Sequence, residues 1–204
     1  MNRKLLRAGL LLVFATGLLL TCRALWIPAK AQLAQWLLAD AWAEARVTGK
    51  AVKPWPWADH WPVARLRVPE LGISQIVLAG DSGSVLAFAL GENLQARSLR
   101  SAARIISGHR DTHFAFLRHI AIGQQLQLTD EQGETTYRVE AIRVVDSARV
   151  RLQPEAYPGG LMLVTCYPFD ALTTGGTRRL VVLASPVSQP IDVQEAPLLA
   201  SGGD

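Results

Sequence analysis

The chain has 204 residues, half of them hydrophobic, with two cysteines and a formal charge of +4. With an N-terminal apolar segment set aside, that length supplies one domain of ordinary size and a single core rather than two. Residues 1–31 hold Arg3, Lys4, Arg7, Arg23 and Lys30 and no acidic residue, leaving 16 basic and 17 acidic residues elsewhere. The high isoelectric point therefore belongs to the N-terminus, and it implies no nucleic-acid patch.

Residues 8–22 form an uncharged, leucine-rich run preceded by three basic residues. That asymmetry keeps an N-terminus in the cytoplasm and sends the downstream chain across the membrane. Fifteen residues are short against the roughly 20 that span a bilayer, but Arg7 and Arg23 can snorkel, and Leu25 and Trp26 extend the span. An uncleaved signal anchor is expected over residues 1–28, with its cytoplasmic stub. Ala29-Lys30-Ala31 has the small-x-small form of a cleavage site, and Leu19-Leu20-Thr21-Cys22 loosely resembles a lipoprotein box; either alternative still exports the rest.

Residues 29–62 read as a juxtamembrane stretch. Residues 29–45 are rich in helix formers, with Leu33, Trp36 and Leu37 on one face that lies on the bilayer or on the domain. Gly49 and the Pro/Trp-rich residues 53–62 then predict an extended, semi-rigid connection, its tryptophans either in an interfacial belt or, preferably, packed on the domain. From residue 63 the pattern changes to short apolar runs bounded by turn residues, a mainly β domain over residues 63–187. Strands are predicted at 64–68, 73–78, 103–107, 125–129, 135–145, 161–165 and 180–184. Asp130 to Gly133 makes a hairpin turn, and short helices fill 84–90 and 113–119, with Asp81 or Ser82 as a cap. Seven or eight short strands imply a sandwich or a closed barrel. Residues 188–204 lose the pattern and read as a loose tail.

One strand, Leu161 to Thr165, ends on Cys166; Arg179 stands thirteen residues on, at the start of another, and His109 comes after a third in Ser107-Gly108-His109-Arg110-Asp111. Cysteine, histidine and arginine at strand ends supply a nucleophile, a proton carrier and a fixed positive charge, the parts that pass an acyl group through a thioester. Cys22 lies in the anchor, so Cys166 has no intramolecular disulfide partner in the exported domain; a buried, inert thiol is the alternative. Arg178 competes with Arg179, since successive strand residues point to opposite faces. Asp111 could orient His109 or pair with Arg110. His113, at a helix start, is the structural competitor of His109, and His60 and His119 lack a motif. The four histidines show none of the spacings of a zinc site.

Leu163-Val164-Thr165-Cys166 with a strand-opening arginine after it and Gly108-His109-Arg110 upstream resembles the signature of the sortases, membrane-anchored cysteine transpeptidases. Thr165-Cys166-Tyr167-Pro168-Phe169-Asp170 and Pro54-Trp55-Pro56-Trp57 resemble their Gram-negative (GN, marine proteobacterial) class more closely. The resemblance implies an eight-stranded sortase barrel behind a transmembrane helix. It selects Arg179 over Arg178 and matches Thr165 to the family's threonine. It implies cleavage of a Leu-Pro-x-Thr-Gly-like C-terminal sorting signal on an exported protein, transfer of the acyl group to an amine acceptor, and no cofactor. It places a single-pass protein in the inner membrane, with its domain on the periplasmic side. The same parts also suit a thiol peptidase with water as acceptor, and a silent peptide-binding barrel is the reading outside enzymes.

Overall fold

The computed structural model describes residues 3–99, 101–171 and 175–187; the predicted tail lies outside the described residues. Short apolar runs satisfy their backbone groups by lateral pairing, and here the pairing continues until it closes on itself. Among the described residues eight strands do this: β1 (Pro62–Val68), β2 (Ile73–Ala79), β3 (Leu90–Glu92), β4 (Arg104–Ser107), β5 (Gln125–Asp130), β6 (Gly133–Asp146), β7 (Leu161–Cys166) and β8 (Arg178–Pro186). Their order around the closed barrel is β1-β2-β3-β4-β7-β8-β6-β5. The pairs β2–β3 and β4–β7 are parallel and the others antiparallel. Leu66, Val68, Ile106, Leu128, Leu163 and Val182 fill the interior together with Phe114, all essentially inaccessible. The expected mainly-β barrel is therefore present, and so are all seven predicted strands.

Three local expectations need correction. Residues 84–90 are not one helix: α2 (Gly83–Leu86) is a single turn, and the chain then enters β3, which pairs Val77 with Leu90 and Ala79 with Glu92. Gly91 makes this passage feasible, because a Cβ there would lie 2.4 Å from the Gly80 carbonyl oxygen. Residues 113–119 hold a 3-10 turn over Ala115–His119 rather than a helix from His113. The Pro/Trp segment is folded, not extended: the Ala58 N–H donates to Trp55 O, and His60 is buried against Trp55 and stacked on Phe88 at 5.3 Å. Trp55 thus packs on the domain as preferred, while Trp57 is 83% exposed. As predicted, Asp130 and Gly133 pair across a two-residue hairpin, and the Asp130 carboxylate accepts from Gln132 N–H.

One helix, α1 (Arg3–Thr48), joins the apolar run to the barrel, with Pro28 inside it. At 1.5 Å per residue it is about 70 Å long. Its stretch from Leu11 is long and apolar enough to cross a membrane, and Leu11 to Leu20 and Trp26 are exposed. Of the face expected to lie on the bilayer or on the domain, Leu37 is half-buried, and the residues that pack on the barrel belong to the neighbouring face. Leu38, Ala41 and Trp42 are buried, and Leu38 and Trp42 pack on Ile76, Leu78, Val85 and Ala89. Gln35 donates to Phe88 O at 2.6 Å and Arg46 to Asp130 O at 2.7 Å, whereas Leu33 and Trp36 remain exposed. A buried ion cluster ties the strands nearby, with fully buried Glu92 accepting from Arg97 and Arg104, and Arg104 also paired with Asp130.

Candidate active site

Strand alternation decides what the end of β7 presents. Leu161 and Leu163 point into the core, so Thr165 turns inward with them and Cys166 takes the other face. Thr165 is buried and its hydroxyl donates to Gly108 O at 2.8 Å, while Gly108 N–H donates to Val164 O. These bonds extend the parallel β4–β7 ladder past Ser107 and bring His109 beside Cys166, 57 residues away in sequence. Gly108 sits too close to the core for a side chain: a Cβ would stand 2.6 Å from Leu90 Cδ2 and 2.8 Å from Phe114 Cδ2. Beyond it the chain folds back, with Phe114 N–H bonded to His109 O, leaving His109 exposed.

Across the antiparallel β7–β8 ladder Cys166 stands directly opposite Arg179. Opposed residues share a face with Cβ atoms roughly 5 Å apart, so Arg179 is the cross-strand neighbour of the thiol. Its Nη1 donates to Gly176 O at 2.6 Å and to Arg178 O at 2.9 Å. Arg178 has the opposite parity, yet stays near: its guanidinium lies over the Tyr167 ring at 5.8 Å, and it lines the cavity that contains Cys166. That cavity, of about 540 Å³, also includes His109, Tyr167 and Gly175.

On its far side His109 borders a second groove of about 880 Å³, between Lys30–Leu37 of α1 and Trp55, Phe88 and His113. His113 is half-buried with Nδ1 3.4 Å from Gln75 Oε1; burial and then the nearby His109 charge lower its pKa. His119 is exposed, and His60 lies away from the thiol with Nδ1 on Asp59 at 2.7 Å. Asp111 accepts from Arg110 Nε at 3.3 Å, the second of the two roles its sequence position left open. The residue that sequence reasoning passed over is Arg110 itself. Its side chain is 11% exposed, Nη1 donates to Pro168 O at 2.9 Å and Nη2 to Ala171 O at 2.8 Å.

Cys166 and His109 line one cavity at the ends of β7 and β4; from β8 it is Arg178 that lines the cavity, while Arg179 is related to Cys166 by the cross-strand register. Residues 66–187 match the family model for the sortase domain. The chain belongs to the sortase family. Sortase D of Bacillus subtilis (strain 168) is 35% identical over 80 residues, 38% of this chain and 39% of that protein, so the chain aligns with well under half of that relative's length. Among solved sortases, sortase A from Corynebacterium diphtheriae superposes with a TM-score of 0.53 at 21% identity, covering 67% of this chain and 65% of that one. Sortase C1 from Streptococcus agalactiae gives 0.53 at 25% identity, over 63% and 68%. The sortase barrel thus accounts for the fold, and the matched residues begin after α1.

Proposed function

We propose that this sortase is a membrane-anchored cysteine transpeptidase of the Gram-negative type. The observation that carries the proposal is the direct cross-strand opposition of Cys166 and Arg179, with His109 lining the cavity that contains Cys166. The Cys166 thiolate attacks a peptide carbonyl in a Leu-Pro-x-Thr-Gly-like sorting signal near the C-terminus of an exported protein. Arg179 stabilises the tetrahedral oxyanion with donors of its planar fork. His109 protonates the departing amine, leaving a Cys166 thioester, and takes a proton from the incoming amine that resolves it. Thr165 supports the thiol by fixing the ladder between β7 and Gly108.

Residues 1–28 serve as cytoplasmic stub and signal anchor, with the domain of residues 63–187 on the periplasmic side of the inner membrane and 188–204 as its tail. Lys30 to Leu38 rises only about 12 Å along α1, so docking at Leu38 holds the barrel close to the bilayer. The test uses the full chain in detergent, with a quenched Leu-Pro-x-Thr-Gly peptide series and triglycine as amine. A product joined to triglycine, formed by the native chain and not by Cys166→Ala, is expected. Turnover by Cys166→Ala would overturn the mechanism, and release of free acid alone in the presence of triglycine would make the protein a peptidase.

A further inference from the structure

We infer that Arg110 is a positioning residue for the transfer reaction, fixing the segment just after Cys166 against the segment that carries His109. The inference rests on the roles proposed for those two residues. Both segments have left the barrel ladder where they matter, β4 at Ser107 and β7 at Cys166. The bonds made by Gly108 and Thr165 align their bases, but the stretch from Tyr167 to Ala171 leaves β7 as the wall of the cavity. Arg110 crosses to that wall, 58 and 61 residues away in sequence, with one fork nitrogen on Pro168 O and the other on Ala171 O.

This geometry acts in two ways. The first is mechanical: the planar fork holds two carbonyls three residues apart, and so fixes the loop relative to the residue next to His109. A lysine, a single point donor, cannot span both carbonyls. The second is electrostatic. Carbonyl oxygens of Pro168 and Ala171 that could turn toward a developing oxyanion are held by a cation instead. Arg110 lines the cavity of Cys166, and its Nε, Nη1 and Nη2 each have a protein acceptor, so the role inferred for it is to hold the cavity wall, whereas Arg179 is the residue proposed to meet the oxyanion.

The full chain in detergent provides the test, with the peptide of the Leu-Pro-x-Thr-Gly series that the native chain turns over fastest. Arg110→Ala should lower kcat by about 10–100-fold, the penalty of misaligned reacting groups, while KM changes little. Methylguanidinium should restore much of the lost kcat and methylammonium should not, a selectivity that a purely structural loss would lack. Arg110→Lys should be impaired by at least about tenfold while melting as the native chain does. Should Arg110→Ala melt below the assay temperature, the lysine variant decides alone. Native kcat in the deciding variant, or a loss in Arg110→Ala that methylguanidinium leaves untouched, overturns the inference. Cys166→Ala separates the two levels. An inert Cys166→Ala beside an unimpaired Arg110→Ala removes only this inference, whereas an active Cys166→Ala, or a native chain that turns over none of the series, removes the parent reading as well.

Discussion

Trp42 is the anchor by which α1 becomes part of the barrel, and its removal should be felt by the whole domain. The side chain is 6% exposed and belongs to one apolar cluster with Leu38, Ile76, Leu78, Val85 and Ala89, while the Arg46 guanidinium lies 5.9 Å from its ring centre. Truncating a buried tryptophan to alanine costs about 3–5 kcal/mol, from lost transfer and the cavity left behind. At about 2–4 °C per kcal/mol for a domain of this size, Trp42→Ala should melt roughly 6–20 °C below the native chain. Trp36, six residues earlier and 64% exposed, is the control, and Trp36→Ala should stay within about 2 °C. Both are measured on the full chain by thermal melting in one detergent. A chain beginning at residue 50 should melt lower still, since it uncovers Ile76, Leu78 and Val85 together. Equal melting of Trp42→Ala, Trp36→Ala and the native chain would show that α1 only tethers the barrel, and the docking argument would fall.

The arginine pair offers a test of register. Arg179→Lys keeps the charge and loses the fork, so peptide turnover should fall by roughly 10²-fold, while Arg178→Lys, a neighbour through Tyr167, should be nearly unchanged; the reverse ranking would reassign the role. His113 supplies a pH test. Its pKa is lowered from 6.5 in the fold, so between that lowered value and 6.5 the unfolded chain binds more protons, and stability rises with pH through the window and is lost as pH falls. The melting temperature of the native chain should therefore drop more than that of His113→Asn on acidification from about pH 7 to 5; parallel curves would contradict the assigned cause.

The barrel was legible because most of its strands are long enough to show a pattern, as in Ala64 to Val68, where Ala64, Leu66 and Val68 are buried and Arg65 and Arg67 between them are not. β3 was not. Three residues, all buried, carry no period, and the strand starts at Leu90, a position that also suits the end of a helix. The docking face of α1 escaped for a related reason: alanines and leucines occur all round residues 29–45, so periodicity could not choose between Trp36 and Trp42. Cysteine, histidine and arginine stood out as residue types with chemistry at strand ends. Their proximity depends on a parallel β4–β7 pair and a cross-strand register that no local pattern encodes. Arg110 was the hardest to see. Its partners are backbone carbonyls 58 and 61 residues away, which leave no trace in side-chain identity, and the adjacent Asp111 offered a nearer explanation.

The central claim is that Cys166 carries the acyl group as a thioester. Its most direct test is the intact mass of the full chain after brief exposure to the Leu-Pro-x-Thr-Gly peptide it turns over, with no amine present, and then peptide mapping. The expected result is a mass increase equal to the N-terminal fragment of the peptide, localised to Cys166, removed by hydroxylamine and absent from Cys166→Ala. Turnover by a chain whose Cys166 never gains that mass, or the same adduct on another residue, would contradict it.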